Sequence, residues 1–348
     1  MKRYIELLEQ LIATPSYSRE EKMTADLLAA FLRAQGVAEV HRLHNNVWAR
    51  NRRFDPSKPT ILLNSHHDTV KPAAGWSRDP FLPEVVDGKL YGLGSNDAGA
   101  SVVSLTAAFL HFYEAEDLKY NLLLALTGEE EVSGQNGIES ILPEIGPLDF
   151  AIVGEPTGLH LAIAERGLMV LDCVAHGKPG HAARDEGDNA IYRAMEDIDW
   201  FRTYRFPKES ALFGGVKMSV TIVSAGTQHN VVPAECRFTV DVRVTDRYTN
   251  EEVLAIVREH VRSDVFPRST RLKPSSIDPS HPIVAAGIAL GRQTFGSPTM
   301  SDQALLSVPS LKVGPGESAR SHTADEFVYL KEVEEGIAQY IALLNAVL

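Results

Sequence analysis

The apolar positions of the chain recur with two periods, which predict alternating helices and strands. Residues 4–12 place apolar side chains on one helical face, and this pattern ends near Pro15. Ser18 and Glu21 have the spacing of a capping box, so a second helix is expected to begin there and to end at Gly36. Continuous apolar runs follow, separated by helical segments. This arrangement is typical of a mostly parallel sheet covered on both faces.

The predicted strands of this first part are apolar throughout. They cover residues 60–64, 121–126 and 150–153, and a helix is predicted over 102–113. The same alternation returns after residue 275, where 311–313 are expected to form a strand and 333–348 a final helix. Residues 1–165 and 275–348 therefore predict one α/β domain, which would carry the catalytic site.

A different order of elements begins at residue 166. The predicted elements are a strand over 168–175, a helix over 189–202, strands over 216–223 and 237–244, a helix over 250–262 and a last strand near Thr270. Residues 237–244 alternate strictly between apolar and polar, which indicates a strand with one face in water. The order βαββαβ is that of ferredoxin-like folds. Residues 166–274 therefore predict an inserted α+β domain.

The composition narrows the class of protein. At 348 residues the chain is long enough for two domains, and its 46 acidic against 34 basic side chains give a net charge of −12. That balance argues against a nucleic acid or an anionic membrane as partner. Glu6 and Glu9 interrupt the apolar residues near the amino terminus, so neither a signal peptide nor a membrane helix is expected. Cys173 and Cys236 suit buried thiols in a reducing compartment, and we expect a cytoplasmic protein.

Five clusters of acidic and imidazole side chains each follow or border an apolar run. They are Ser65-His66-His67-Asp68, Gly94-Ser95-Asn96-Asp97, Glu129-Glu130-Glu131, Gly154-Glu155-Pro156-Thr157 and Ser321-His322-Thr323-Ala324-Asp325-Glu326. Active sites of α/β folds gather at strand ends, so these clusters are expected to meet. Imidazole and carboxylate groups together form the ligand set of zinc-like ions, and the clusters supply enough of them for a pair.

The first two clusters fit the requirements of a two-metal hydrolase. Such a site needs a carboxylate that bridges ions roughly 3.5 Å apart, terminal ligands, and a general base that is not itself a ligand. His66 can bind one ion while Asp68 holds its other ring nitrogen. Asp97 suits the bridge because small neighbouring residues let ions approach the backbone.

The later clusters would complete the site. Glu130 and Glu131 are adjacent, so on an extended segment one can bind metal while the other reaches the attacking water. Glu155 and His322 would supply the remaining ligands. His67 is more typical of an outward-facing residue at a strand end than of a ligand.

These motifs, taken together, resemble those of the M20 family of metallohydrolases. That group includes acetylornithine deacetylase, succinyl-diaminopimelate desuccinylase, bacterial glutamate carboxypeptidase and the aminoacylases. The matching motifs are His66-x-Asp68, Asp97, Glu130-Glu131, Gly154-Glu155-Pro156-Thr157, Gly180-His181-Ala182-Ala183, Asn230-Val231-Val232-Pro233 and His322. They follow the family order over nearly the whole chain, which makes the set far more specific than any single motif.

The resemblance implies a zinc-exopeptidase-like catalytic domain with two divalent metal ions. Zinc is expected, and cobalt or manganese can substitute for it. His66 and Glu155 would bind one ion, Glu131 and His322 would bind the other, and Asp97 would bridge them.

The resemblance also implies roles beyond metal binding. Asp68 would orient His66, and Glu130 would take a proton from the attacking water and deliver it to the leaving amine. His181, on the inserted domain, would reach the tetrahedral oxyanion of the neighbouring subunit. A homodimer formed through the inserted domain, closing around the substrate, is therefore expected.

Two further positions match substrate contacts of the family, Asn230 and Arg243. The guanidinium of Arg243 can bind a carboxylate with two parallel hydrogen bonds. An alternative stays open, because Arg243 can instead pair with Asp241 or Glu235 on the wet face of its own sheet.

The expected function is hydrolysis of a small N-acyl amino acid, with acetylornithine deacetylase-like activity in arginine biosynthesis as the first choice. N-succinyl-ornithine, acetylcitrulline, acetyl-lysine and succinyl-diaminopimelate are alternative substrates, as are the peptides of a dipeptidase or carboxypeptidase. A succinyl group would require one further cationic side chain. Residues 299–304 also lack the arginine that the desuccinylases carry in the corresponding segment. A non-catalytic protein that keeps metal for structure is the competing class, and it would not need Glu130 or His181.

Overall fold

A computed structural model describes residues 1–348 and contains eight helices and eighteen strands. The helices are α1 (Lys2–Ile12), α2 (Lys22–Ala34), α3 (Ala100–Phe112), α4 (Ile138–Ile145), α5 (Ala190–Thr203), α6 (Asn250–His260), α7 (Pro282–Ala289) and α8 (Leu330–Asn345). The strands are β1 (His41–Leu43), β2 (Asn46–Arg50), β3 (Thr60–His66), β4 (Glu84–Val86), β5 (Lys89–Tyr91), β6 (Asn121–Thr127), β7 (Phe150–Val153), β8 (Leu161–Glu165), β9 (Gly167–His176), β10 (Gly180–His181), β11 (Lys217–Ala225), β12 (Val231–Val232), β13 (Glu235–Val244), β14 (Asp264–Pro267), β15 (Ser275–Ser276), β16 (Thr294–Ser297), β17 (Ser310–Lys312) and β18 (Phe327–Tyr329).

The chain divides into two compact units. The first comprises Met1–Ile163, Ser276–Phe295 and Ser301–Leu348, and the second comprises Ala164–Ser275 and Gly296–Met300. The short segment Gly296–Met300 lies outside the predicted insertion, because five residues carry no hydrophobic period that could assign them to either unit.

The first unit is built on a mixed sheet whose centre is parallel. Its strand order is β1-β2-β6-β3-β7-β17-β8-β15, and β16 pairs with β8. Strand β3 runs parallel to β6 and β7, and β17 runs parallel to β7. All seven residues of β3 and of β6 are buried, as expected for strands covered on both faces. The predicted mostly parallel α/β architecture is confirmed.

Successive residues of the central strands enter opposite cores, because side chains alternate across a strand. Ile61 and Leu63 pack with Leu8 of α1 and Phe109 of α3, whereas Leu62 packs on the other face with Ile141 of α4. Each fully buried side chain of this size contributes about 1.5–3 kcal/mol through removal of apolar surface from water. The two cores hold the carboxyl ends of the central strands in place.

The second unit is an antiparallel sheet in the order β11-β13-β9-β14, with α5 and α6 packed against it. The main elements follow one another along the chain as β9, α5, β11, β13, α6 and β14. This βαββαβ order, with the strand order of the sheet, is the predicted ferredoxin-like arrangement. Strand β13 alternates between buried and more exposed residues, and Phe238, Val240 and Val242 share a core with Phe201 of α5 and Val253 of α6.

The last predicted strand of the insertion is misplaced in the sequence analysis. The strand is β14, which pairs with β9, and it ends before the predicted position at Thr270. The side chain of Asn250 donates to the carbonyl oxygens of Thr270 and Leu272 at 2.9 and 2.8 Å. The carbonyl oxygens of Thr270 and Leu272 are therefore hydrogen-bonded to the side chain of the first residue of α6, and the residues around Thr270 form a loop.

The predicted capping box of α2 is also wrong. Ser18 Oγ donates to Asp68 Oδ2 at 2.7 Å, and Glu21 makes no capping bond to the helix. The carboxylate of Glu21 instead accepts from Glu129 N at 3.1 Å and from Asn45 Nδ2 at 2.7 Å. Both side chains thus bind groups far along the chain, and those tertiary partners replace the local capping interaction.

The remaining expectations from composition concern the thiols and the helices. Cys173 and Cys236 are both buried and unpaired, and burial raises the pKa of the Cys173 thiol to about 12. None of the eight helices combines the length and the apolar content that a bilayer crossing requires.

Candidate metal centre

The parallel pairing of β3, β6 and β7 brings three of the predicted clusters to one edge of the sheet. His66 ends β3 and lies opposite Thr127, which ends β6. Glu130 and Glu131 follow directly after β6, and Glu155 follows β7. Because parallel strands place their carboxyl ends side by side, clusters that are distant in sequence become neighbours.

His66 is the centre of the first half of this cluster. Its side chain is 1% exposed, and its Nε2 lies 3.1 Å from Asp97 Oδ1. The same nitrogen lies 3.7 Å from Glu155 Oε1 and 3.9 Å from Glu130 Oε2. One imidazole nitrogen therefore faces three carboxylates.

His322 is the centre of the second half. Its Nε2 lies 2.9 Å from Glu131 Oε2 and 3.7 Å from Asp97 Oδ2. The two oxygens of Asp97 consequently face different histidines, Oδ1 toward His66 and Oδ2 toward His322. This is the arrangement that a bridging carboxylate requires.

Two sets of side chains bring their ligand atoms within 4.8 Å of one another. They are His66, Asp97 and Glu131, and His66, Glu130 and Glu155. The structure thus brings together all five residues predicted as ligands, and it also places Glu130, the predicted base, beside His66 and Glu155.

The ring of His66 is oriented through its other nitrogen. Nδ1 lies 3.0 Å from the carbonyl oxygen of Asp68 and 3.4 Å from its carboxylate Oδ1. The Asp68 carboxylate also accepts from Glu130 N at 3.1 Å and from Glu131 N at 3.2 Å. Asp68 therefore fixes both the imidazole and the turn that carries the two glutamates, a second role that sequence reasoning missed.

The expectation that Glu130 and Glu131 lie on an extended segment is wrong. Residues Glu130–Val132 form a single helical turn, entered through Glu129 in the left-handed region at φ 57°. The two side chains nevertheless diverge, because adjacent residues on a tight turn leave it in different directions. The turn begins with Glu129 N bonded to the buried carboxylate of Glu21.

His67 is buried rather than outward-facing. Its Nε2 lies 2.9 Å from the carbonyl oxygen of Asn45, which can only accept, so Nε2 carries the proton, and Nδ1 lies 2.9 Å from Thr24 Oγ1. Burial lowers the pKa of His67 to about 4. His67 is therefore a neutral structural residue.

The site holds a large excess of buried negative charge. Two imidazoles lie among seven carboxylates, which are Asp68, Asp97, Glu130, Glu131, Glu155, Asp302 and Glu326. Burial alone would lower the pKa of His66, but Glu130 and its other carboxylate neighbours raise it well above its ordinary value. The hydrogen bond to Glu131 raises the pKa of His322 to about 9.

Burial and the same excess of negative charge also raise the pKa of some of the carboxylates. Burial, together with Glu155 and Asp302, raises the pKa of Glu130 well above its ordinary value. Burial raises the pKa of Asp302 to about 6, although Thr127 donates to its Oδ2 at 2.7 Å. So many anionic groups at one buried point are stable only with protons or cations among them. The oxygen and imidazole donors fit divalent cations such as zinc.

Two buried acids of the site were missed as functional candidates. Asp302 lies in the segment noted only for its missing arginine, and Glu326 ends the last predicted cluster. Both follow short irregular segments, so no strand pattern points to their burial.

The second unit carries the other predicted residues, His181, Asn230 and Arg243. His181 is exposed on β10, which pairs with β12, and Ala182 N donates to the carbonyl oxygen of Asn230 at 3.0 Å. Arg243 pairs with Asp241 through two hydrogen bonds of 2.8 and 3.1 Å. The pairing that sequence analysis left open as an alternative is thus present.

Arg243 also lines a cavity of about 440 Å³ within the second unit. Its lining residues are Arg166, Leu212, Phe213, Lys217, Arg243, Gly296 and Pro298. Lys217 lies directly opposite Arg243 in the β11–β13 pair, and Arg166 donates to the carbonyl oxygen of Phe213 at 2.7 Å. Burial and the nearby Arg243 charge lower the pKa of Arg166. We call these seven residues the cationic pocket.

The fold and the candidate metal centre together define the class of protein. An α/β unit with buried histidines and carboxylates at its strand ends, interrupted by a ferredoxin-like unit, is the construction of a metallohydrolase. The chain matches the model of Peptidase family M20/M25/M40 over residues 62–346, and it belongs to that family. It is therefore a hydrolase of amide bonds.

Relatives in the family agree on this class. The chain is 28% identical to succinyl-diaminopimelate desuccinylase 2 of Ruegeria sp. (strain TM1040) over 74% of the chain and 69% of that protein. It is 27% identical to succinyl-diaminopimelate desuccinylase of Delftia acidovorans (strain DSM 14801 / SPH-1) over 96% of the chain and 95% of that protein.

Solved structures share the fold. Aminopeptidase PepT from Bacillus cereus superposes with a TM-score of 0.76 at 19% identity, covering 99% of the chain and 98% of its own. A dinuclear metal binding peptidase of the M20 family from Bacillus subtilis gives a TM-score of 0.72 at 18% identity, covering 99% and 97%.

Proposed function

We propose that this protein is a dinuclear metal-dependent hydrolase that removes an N-acyl group from a small amino acid. The observation that carries the proposal is Asp97, whose two carboxylate oxygens face His66 and His322 separately. His66 and Glu155 would hold one ion, Glu131 and His322 would hold the other, and Asp97 would bind both. Zinc is the ion that this ligand set suits best.

Glu130 is the proposed general base. Two cations in the cluster would polarise the scissile carbonyl and acidify the attacking water. The carboxylate of Glu130 takes the proton of that water and passes it to the leaving amine nitrogen. Asp68 keeps His66 Nδ1 engaged, so that Nε2 stays directed at Asp97.

The cationic pocket supports an N-acyl substrate that carries an acidic group. Arg243 is partly neutralised by Asp241, but Arg166 donates to a carbonyl oxygen and Lys217 adds a further positive charge. A succinyl group requires additional cations of this kind, and a guanidinium binds a carboxylate well. Both relatives described above are named desuccinylases. We therefore favour an N-succinyl amino acid.

An acetylated amino acid is the second candidate, with acetylornithine in arginine biosynthesis as its leading form. It is favoured by residues 299–304, Thr-Met-Ser-Asp-Gln-Ala, which lack the arginine of the desuccinylase segment. In that segment Asp302 and Gln303 are both buried, so neither offers an exposed group to a substrate.

We further propose a homodimer formed through the second unit. Strand β11 is an edge strand, and its Ile222 and Val223 are both 56% exposed. On α5, Tyr192 and Met195 are exposed as well. Edge strands with exposed apolar side chains are suited to pairing with a second copy. His181 would then act at the site of the neighbouring subunit.

The test is hydrolysis of a panel by the purified protein, whose mass is measured by light scattering. The panel contains N-acetyl- and N-succinyl-ornithine, acetylcitrulline, acetyl-lysine, succinyl-diaminopimelate and two dipeptides, each with zinc and after chelation. We expect one succinyl compound to be preferred, with activity lost on chelation and restored by zinc. Preference for acetylornithine supports the second candidate, and preference for dipeptides contradicts both. Full activity in a monomer contradicts the dimer.

A further inference from the structure

Glu326 has no role among the proposed ligands or bases, although it is 2% exposed and therefore buried as a carboxylate. It accepts three hydrogen bonds from main-chain N–H groups. Gly94 N donates to Oε2 at 3.2 Å, and Asn96 N and Asp97 N donate to Oε1 at 2.9 Å each. All three donors belong to the loop that carries the proposed bridging residue.

Residues Ser95–Gly99 of that loop form a single wide helical turn, in which Gly99 N donates to the carbonyl oxygen of Gly94 at 2.9 Å, but the turn is irregular at the bridging residue. Gly94 lies in the left-handed region at φ 76°, where a Cβ would come within 2.7 Å of Thr69 Cγ2. Asp97 has non-helical angles, φ −116° and ψ 97°, at the entrance to α3. The main chain of Glu326 contributes too, since its carbonyl oxygen accepts from Gly92 N at 3.0 Å. The loop is thus folded around Glu326.

Asn96 forms a second link between the same two segments. Its Nδ2 donates to the carbonyl oxygen of Glu317 at 3.1 Å and to Ser321 Oγ at 3.3 Å. Its Oδ1 accepts from Glu317 N at 3.0 Å. The loop of Asp97 and the segment that carries His322 are therefore bonded to each other at several points.

We infer that Glu326 is a positioning residue for the metal centre, because it holds the main chain of Asp97 so that the two carboxylate oxygens face His66 and His322. The inference rests on the proposed metal-dependent function. Glu326 itself is directed at N–H groups and needs no contact with an ion. A carboxylate suits this task because all its acceptor positions are available and each bond is charge-assisted.

The substitution Glu326→Gln tests the inference with little change in volume. The amide nitrogen of glutamine is a donor, so it would face a main-chain N–H and loosen the loop. Asp325→Asn is a matched control on the next residue. The carboxylate of Asp325 accepts from Ser77 and Arg78 instead of the Asp97 loop.

The measurement is a titration of chelator-treated full-length protein with cobalt(II), followed by its visible absorption. We expect Glu326→Gln to weaken cobalt binding by about 10–100-fold, the usual effect of removing a partner of a metal ligand. The absorption bands of the cobalt-saturated variant should also change, since they report ligand geometry. Asp325→Asn should match the wild type in both respects.

Three results would separate the possibilities. Wild-type affinity and bands in Glu326→Gln overturn the inference, even if the thermal stability of the variant falls, because that role would be structural only. If Glu326→Gln does not fold, Glu326→Asp is titrated instead, and wild-type affinity and bands in that variant overturn the inference. A wild type that binds no cobalt refutes the proposed function itself.

Discussion

The two units carry charged clusters of opposite sign and opposite construction. In the first unit, the carboxylates around His66 and His322 are mostly buried, and two of them, Asp68 and Glu326, accept hydrogen bonds from main-chain N–H groups. In the second unit, Arg166 and Lys217 line an open cavity where water reaches them. Buried charge must be neutralised by ions or protons, whereas exposed charge is screened by solvent. The first construction suits tight ion binding and chemistry, and the second suits reversible recognition of an anion.

The largest expected effect comes from Glu130→Gln. We expect turnover to fall about 10²–10⁴-fold, because a general base typically contributes that much. The variant should retain the metal content of the wild type, measured by elemental analysis of the purified protein. Glu144→Gln, at an exposed position on α4, is the control and should keep full activity.

This variant also decides between two roles for Glu130. The ligand atoms of Glu130, His66 and Glu155 lie within 4.8 Å of one another, so the same geometry also suits Glu130 as a third ligand of the ion that His66 and Glu155 would hold. Loss of one metal ion in Glu130→Gln would show that Glu130 is a ligand and would remove it as the base.

The second expected effect is a pH dependence of the folding stability, which arises from the burial of His67 in the first unit. His67 has a pKa of about 4 in the folded protein against 6.5 ordinarily, so the unfolded chain binds the proton more readily. Its contribution to stability is present above pH 6.5 and is lost as the pH falls toward 4. Between about pH 7.5 and about pH 5, we expect the wild type to lose about 2 kcal/mol more than His67→Gln.

Urea denaturation of chelator-treated protein at both pH values measures this difference. His176→Gln is the control, because His176 is an exposed residue of the second unit that pairs with Asp264 at 2.8 Å. An equal pH dependence of stability in wild type and His67→Gln would mean that His67 is not held neutral by burial.

The third expected effect, of similar size, comes from Arg166→Gln in the cationic pocket. A hydrogen bond to a charged group contributes about 1.5–3 kcal/mol, so KM for an N-succinyl substrate should rise about 10–100-fold. The kcat should change much less, and N-acetyl substrates should be nearly unaffected. Arg237→Gln is the control, since Arg237 is an exposed arginine of β13 paired with Glu235.

Steady-state kinetics with both substrate types separates these parameters. Equal losses for N-succinyl and N-acetyl compounds would show that Arg166 does not recognise the acyl group. The contrast between the two units would then reflect surface charge alone.

Local patterns predicted the elements that build the two units. The continuous apolar runs of β3, β6 and β7 and the alternation of β13 each result from burial on two faces or one. The ligand residues could be named because they follow those strands directly. The predictions for Ser18, Glu21 and His67 were wrong, because their partners Asp68, Glu129 and Asn45 lie elsewhere in the chain.

By itself the sequence determined the order of elements, the inserted unit and the residues that meet at the strand ends, since each depends on local periodicity and on the parallel pairing it implies. Only the tertiary structure decided which buried carboxylates hold which main-chain segments, as Glu326 does for Asp97. It also decided that Arg166, Lys217 and Arg243 share one cavity. The register of an antiparallel pair and the path of a loop determine such contacts, and neither leaves a periodic trace in the sequence.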